Sequence, residues 1–202
     1  MSEYDFLVDT KRINLTVLIP SIGRSTVTTL INEISKDALD SNVAINIIVA
    51  LNGHQQFQVE YENVVVRNLG YEKIGFSAAI NAVIPSIETE FVCIVADDDS
   101  WQIGKLAHDF AALKDHEIVL ASYLFIDNIG ISIRPKSLYM GAIPPSQFLY
   151  EKFSFGRSKR YISISGMTLI TDILRENAFD SALFIREDIE WLDRVYKKGH
   201  RI

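Results

Sequence analysis

Along the first 121 residues, short uncharged runs alternate with stretches in which apolar residues recur every three or four positions. Leu15–Ile19 is such a run, stopped by Pro20 and followed by the turn Ser21-Ile22-Gly23-Arg24. After Ser25, a good N-cap, Val27, Leu30, Ile31 and Ile34 return at helical spacing. The unit repeats. Ala44–Ala50 is a second apolar run ending in Leu51-Asn52-Gly53, and Val64–Val66 a shorter third, followed by Arg67-Asn68. Gly75 then opens a helix with a stripe of Phe76, Ala79, Ile80, Val83 and Ile84, while Ser77 and Asn81, four apart, share another face until Pro85 bends or ends it. Phe91–Ala96 carries no charge and predicts a strand buried on both faces. A helix from about Trp101 is expected to turn Ile103, Leu106, Ala107, Phe110 and Ala111 inward, and Glu117–Ala121 predicts a further strand. This alternation predicts an α/β fold: a mostly parallel, Rossmann-like sheet flanked by helices on both faces.

The pattern then loosens. Residues 123–134 alternate weakly, like a hairpin or edge strands, and Pro144-Pro145-Ser146 opens a short helix through Phe148, Leu149 and Phe153. Residues 154–160, with Arg157, Lys159 and Arg160, predict a mobile loop, Tyr161–Gly166 a strand, and Thr171–Asn177 a short helix. A last helix starts at Glu187-Asp188, points Ile189, Leu192, Val195 and Tyr196 inward, pairs Glu190 with Arg194 and Asp193 with Lys197, and stops at Gly199.

Length changes this picture little: 202 residues without a Gly/Ser/Pro-rich linker suit one domain over 1–202, with a first half of about 14–121 and a second of about 122–202. The final Gly199-His200-Arg201-Ile202 looks like a helix stop followed by the start of a strand, so truncation at the C-terminus is expected. Twenty Lys and Arg against 26 Asp and Glu, net −6, argue against a nucleic-acid surface. The lone Cys93, inside an apolar run, excludes an internal disulfide and suits a reducing compartment, where it serves as a small apolar filler. No run is long enough to span a bilayer, and the first residues lack a signal peptide's basic and apolar regions. The expected location is cytoplasmic, with room for peripheral association at the inner face of a membrane.

The chemistry concentrates where Phe91–Ala96 ends, without a spacer, in Asp97-Asp98-Asp99. The C-terminal edge of an open α/β sheet is where ligands bind. Three crowded carboxylates need a cation or hydrogen-bond donors, and Asp97 and Asp99 are spaced to share a hard divalent ion. A solvated turn capping the next helix through Asp99 or Ser100 explains the same residues without a ligand. The four histidines show no ligand-like pairing.

Together these segments resemble the inverting, family 2 glycosyltransferases of GT-A fold. The resemblance rests on Val17-Leu18-Ile19-Pro20-Ser21 with Arg24, Asn52-Gly53, Arg67-Asn68 with Gly75–Asn81, Asp97-Asp98-Asp99, and Glu187-Asp188 followed by Arg194 and Gly199. It implies transfer of a sugar from a nucleotide-diphosphate sugar donor to a glycan or lipid-linked acceptor, in bacterial surface polysaccharide synthesis, with Mg²⁺ or Mn²⁺. It also implies roles. Asp99 is the metal ligand, with Asp97 beside it. Pro20, Ser21, Arg24, Asn52, Gly53, Asn68, Gly75, Asn81, Asp97 and Asp98 surround the nucleotide sugar. Asp188 is the base that takes the acceptor proton, and Gly166, Glu187 and Trp191 lie on the acceptor side. As a plain helix-terminal acid, Asp188 would instead be stabilised by the helix dipole, and Trp191 suits burial at least as well.

One departure stands out, since many relatives end the second strand in an Asp that reads the base, whereas this chain has Leu51 before Asn52-Gly53. That motivates a second reading, a non-catalytic, GT-A-like nucleotide-sugar-binding or scaffold domain. A nucleotidyltransferase is a thinner third, because Ser21–Arg24 is a poor Gly-rich loop. A phosphatase of the haloacid-dehalogenase type places its acids after the first strand, not the fourth.

Overall fold

In a computed structural model of the chain, residues 12–53, 60–70, 72–122, 125–126, 132–133, 139–154 and 162–202 are described. The axis of the sheet is β1 (Ile13–Ser21), paired in parallel with β2 (Val43–Leu51) on one side and β4 (Phe91–Ile94) on the other, with β3 (Val64–Asn68) beyond β2. Helix α1 (Thr26–Asp40) returns the chain from β1 to β2, and α2 (Phe76–Val83), ending in the 3-10 turn Ile84–Ser86, carries it from β3 to β4. The connections after β1 and after β3 thus lead to opposite sides of β1, which makes the β1/β4 boundary the topological switch point.

Pro20 lies inside β1, not beyond it. Leu18 faces β4, its carbonyl accepting the Val95 amide at 3.0 Å, and Ser21 faces β2, its carbonyl accepting the Asn52 amide at 2.8 Å. By alternation the missing N–H of Pro20 points toward β4, beyond the last β1/β4 pair at Leu18 and Ile94, so no ladder bond is lost.

After β4 come α3 (Lys105–Ala112), β5 (Ile118–Val119), the two-residue strands β6 (Phe125–Ile126) and β7 (Ser132–Ile133), α4 (Pro145–Ser154), β8 (Met167–Ile170), α5 (Thr171–Glu176) and α6 (Glu187–Lys197). The main sheet runs β3-β2-β1-β4-β8-β5, and β6 and β7 pair separately. Strand β8 is antiparallel to both of its neighbours, so the sheet is mostly parallel rather than wholly so. The 117–121 segment therefore does not adjoin β4. The strand expected over 161–166 begins only at Met167, while Ile162 and Ile164 are buried without strand geometry.

Both faces of the sheet are apolar. Leu15, Val17 and Ile19 of β1 pack with Val27, Leu30, Ile31 and Ile34 of α1, and Leu18 on the opposite face packs in the cluster of Ile80, Trp191 and Leu192. Alternate residues of a strand point to opposite faces, so a strand between two helical layers must be apolar throughout. Helix α3 starts at Lys105, four residues after Trp101, and Ile103 is 49% exposed instead of facing inward. Its start is set from a distance: fully buried Asp37 of α1 accepts the Trp101 indole N–H at 2.8 Å and the Gly104 and Leu106 amides at 2.6 and 2.9 Å. Trp101 is thereby a packing residue, 6% exposed. In α6 the Glu190–Arg194 pair forms at 2.8 Å, whereas Asp193 turns to the Ser146 amide at the start of α4, also at 2.8 Å. Among the described residues no helix is long and apolar enough to cross a membrane. The 154–160 loop with Arg157, Lys159 and Arg160, and His54, lie outside the described residues or side chains.

Candidate functional site

Parallel pairing brings the ends of β1, β2 and β4 to one edge, where Ser21–Arg24, Asn52-Gly53 and Asp97–Asp99 meet. The three acids have separate surroundings. Asp97 is 3% exposed. Its carboxylate accepts the Ser21 hydroxyl at 2.7 Å, the Ile22 amide at 3.2 Å and the Arg24 guanidinium, while the Thr26 hydroxyl donates to its carbonyl at 2.6 Å. The loop after β1 is thus wrapped around Asp97, and Ser21 is further tied to the Gly23 amide at 2.8 Å. Asp98 is open to solvent and lies 3.3 Å from the same Arg24. Asp99 is exposed, with one carboxylate oxygen accepting the Ser165 hydroxyl, and Ser165 also accepts the Ala96 amide at 2.9 Å.

Ser165 is the residue that sequence reasoning undervalued. The Ser165-Gly166 pair stands out only as a small-residue turn, yet it clamps the acid turn from across β8. The Gly166 amide donates to Ile94 at 2.6 Å, and at φ 76° its missing Cβ would lie 2.8 Å from the Ala121 Cβ and 3.3 Å from Lys105. No larger residue fits without moving the chain. Gly166 thus shapes the acid turn from behind.

A divalent ion can be tested against this donor set. Asp97 has its oxygens committed to Ser21, Ile22 and Arg24, and among the described residues no three His, Cys, Asp or Glu side chains form a group that could hold a metal. Of the two acids expected to share an ion, Asp97 is turned to the β1 loop and Asp99 to Ser165. What remains is the second oxygen of Asp99, beside exposed Asp98. One free carboxylate suits the class of site in which a bound diphosphate supplies further oxygens, and in that class it fits.

On the β2 side, Asn52 is buried, its side-chain oxygen accepting the Ile74 amide at 2.9 Å, and the Gly53 amide donates to Gly70 at 3.2 Å. Asn68 bends its own loop by accepting the Gly70 amide at 3.0 Å. Asn81 is a clamp: its amide donates to the Phe179 carbonyl at 2.8 Å and the Ser181 hydroxyl at 3.1 Å, and its oxygen accepts the Phe179 amide at 3.0 Å. These bonds use both amide hydrogens and one of the oxygen's two lone pairs. Gly75, the residue before α2, meets the Phe184 ring, which stands 3.9 Å from where a Cβ would sit.

The clamp ties Phe179 and Ser181 to α2, a few residues before α6 begins. Arg186 precedes that helix at φ 64°, a left-handed conformation costly for a non-glycine residue, and Glu187 and Asp188 follow in the first turn. Burial raises the Asp188 carboxyl above its ordinary 3.8, and neighbouring Glu187 adds to this, against a 2.8 Å bond from the Ile189 amide. A carboxylate so placed is a stronger proton acceptor than a solvated one. Trp191 has no exposed surface, stacks on Phe179 at 5.2 Å between centroids and donates its indole N–H to the Asn177 carbonyl. It is core, so the acceptor-side role does not hold for its ring.

No family sequence model matches the chain, and no curated protein sequence does. Solved structures do match. Residues 1–349 of TarS from S. aureus superpose with TM-score 0.65 at 16% identity, covering 91% of this chain and 55% of that one. The same protein in complex with UDP-GlcNAc gives 0.63 at 16%, over 91% and 53%. The mannosyltransferase PcManGT from Pyrobaculum calidifontis, in complex with GDP-Man and Mn²⁺, gives 0.62 at 14%, over 95% and 54%. The chain therefore spans about half the length of these neighbours. Sheet order, helices on both faces and these superpositions agree that the chain has the GT-A glycosyltransferase fold.

Proposed function

We propose that the chain is an inverting glycosyltransferase domain that moves a sugar from a nucleotide-diphosphate sugar to the hydroxyl of a glycan or lipid-linked acceptor. The observation that carries it is the switch-point edge of a GT-A sheet lined by Arg24, Asp98 and Asp99, with a desolvated Asp188 at the start of α6. Solved neighbours of the same fold carry UDP-GlcNAc or GDP-Man. Arg24, partly exposed and already at the acid turn, suits a phosphate by its planar fork of donors. Asn52-Gly53 and Asn68 line the route by which the nucleoside would reach β2 and β3. Asp99, oriented by Ser165, would hold Mg²⁺ or Mn²⁺, which when bound neutralises the charge of the leaving diphosphate.

In the reaction the acceptor oxygen bonds to the anomeric carbon from the face opposite the diphosphate. The carbon–oxygen bond to phosphate breaks with its electron pair going to the nucleoside diphosphate. The acceptor proton passes to Asp188, and the anomeric configuration inverts. Glu187 orients the acceptor side. The setting consistent with such an activity is bacterial surface polysaccharide synthesis, in the cytoplasm or at the inner membrane face.

A non-catalytic nucleotide-sugar-binding domain is the second reading, favoured by Leu51 in place of a base-reading Asp and by the engagement of both Asp97 oxygens with protein donors. Titration of the chain with UDP, GDP, UDP-GlcNAc and GDP-Man, with Mn²⁺ and in EDTA, followed by product analysis with candidate glycan acceptors, separates the two. Binding with turnover supports the transferase, binding without turnover the second reading. Binding of none removes both.

A further inference from the structure

We propose that the cleft between the start of α2 and residues 181–187 is a sugar subsite, in which Phe184 carries the apolar face of a pyranose ring and Ser77 and Glu187 hydrogen-bond its hydroxyls. The cleft, about 110 Å³, is lined by Ile74–Ala78, Ser181, Leu183, Phe184 and Glu187. That is the space of roughly three or four waters. It admits one hydroxyl-bearing edge of a ring, the rest lying over Phe184.

Two independent features point to a ligand. Ser77 is 3% exposed, and its Oγ has no hydrogen-bond partner, although buried hydroxyls in folded proteins are almost always paired. A sugar hydroxyl both donates and accepts, and so satisfies it in either direction. On the opposite wall Phe184 is 78% exposed with Ile185 beside it at 80%, large apolar groups in water next to a polar cleft. Gly75 holds φ 88°, a left-handed conformation that favours glycine, and the ring stands 3.9 Å from where its Cβ would sit. Backbone amides in the first turn of α2, which lack helical partners, add donors along the same wall.

Charge decides the class of ligand. The amides and the hydroxyl alone would suit a phosphate, but Glu187 in the same cleft repels an anion while accepting from neutral hydroxyls. An aromatic face, a carboxylate and a hydroxyl are what a neutral sugar uses: C–H groups against the ring, O–H groups to the acid. Position agrees, since Ile74 in the cleft is bonded to Asn52 on the nucleotide side and Glu187 precedes Asp188. The proposal deepens the glycosyltransferase reading and rests on it for the sugar's place in the reaction. The sugar is that of the donor or that of the acceptor.

The test follows backbone resonances of the full chain, wild type and the Phe184→Ala and Ser77→Ala variants, with melting temperatures confirming the fold. Phe184 is exposed, so its variant keeps the core. The probes are UDP and GDP, the two nucleotide sugars of the panel above, and methyl glycosides of glucose, N-acetylglucosamine and mannose. The expected result is perturbation at 75–78 and 184–187, with affinity for a sugar-bearing probe about tenfold weaker in Phe184→Ala and bare nucleotide affinity unchanged. Loss confined to the nucleotide sugars assigns the donor sugar, and loss for a methyl glycoside the acceptor. Equal affinity of wild type and both variants for every probe, or no perturbation of these residues by any, overturns the subsite. If methyl glycosides bind here and no nucleotide does, the subsite stands and the transferase reading falls. If nucleotides bind and no sugar effect appears, the reverse holds.

Discussion

Asp97, Asp98 and Asp99 are the same side chain three times, and their surroundings give them different work. Asp97, buried and wrapped by the β1 loop, is a strut. Replacing it with Ala strands the Ser21 hydroxyl and Ile22 amide, which should cost about 2 kcal/mol, a melting temperature lower by about 4–8 °C. Asp99→Asn should leave thermal stability nearly unchanged and instead weaken nucleotide binding in Mn²⁺, by calorimetry. A stable Asp97→Ala would remove the strut. For Asp188, Asp188→Asn keeps the shape and removes only the proton acceptor, so transfer should fall at least about 10²-fold with nucleotide affinity preserved. In the proposed mechanism Asp188 acts when ionised, and burial raises its carboxyl, so activity should be lost on acidification at a pH above that of an ordinary aspartate. Glu187→Gln removes the smaller, like-charge contribution and should shift that acid limb to lower pH. A limb that stays put in this variant would separate the limb from Asp188.

Among elements, α3 shows how a helix start is chosen. The periodicity beginning at Trp101 suggests a helix from there, but the indole N–H and the Gly104 and Leu106 amides all converge on Asp37, which holds the chain non-helical until Lys105. Asp37→Ala leaves the Trp101 indole and the Gly104 and Leu106 amides without their acceptor and should cost about 3 kcal/mol in urea unfolding. Hydrogen exchange should rise first at 105–112. Uniform loss across the sheet would mean that Asp37 serves the core generally. Beneath β4, Lys105 joins Asp109 and Thr168 and lies 4.6 Å from the Trp101 ring, and burial raises the Cys93 thiol, so that corner is closed packing rather than chemistry.

For the whole molecule, the distribution of carboxylates makes order of binding measurable. Asp97 is committed to protein donors and no described group of three ligands exists, so an ion held at Asp99, as proposed above, would have few protein oxygens until a diphosphate arrives. Calorimetry should find weak Mn²⁺ binding to the chain alone and at least about tenfold tighter binding with UDP or GDP present, whichever is cognate. Tight Mn²⁺ binding without nucleotide would contradict this arrangement.

The sequence by itself determined the α/β class, the parallel core of β1, β2, β3 and β4, and the acids at a strand's end. These follow from local rules: apolar runs buried on both faces, helical stripes, and turns whose residues must occur there. The start of α6 at Glu187 was legible for the same reason. Which acid is a strut, that Ser165 clamps Asp99, that Asn81 grips Phe179, and that β8 inserts antiparallel beside β4 were decided only by the tertiary structure. Each joins residues 66 to 98 positions apart or a strand pairing of that range. Local propensity is silent about such partners, because a hydroxyl or carboxylamide has the same pattern in sequence whether it meets water, a ligand or a distant backbone group.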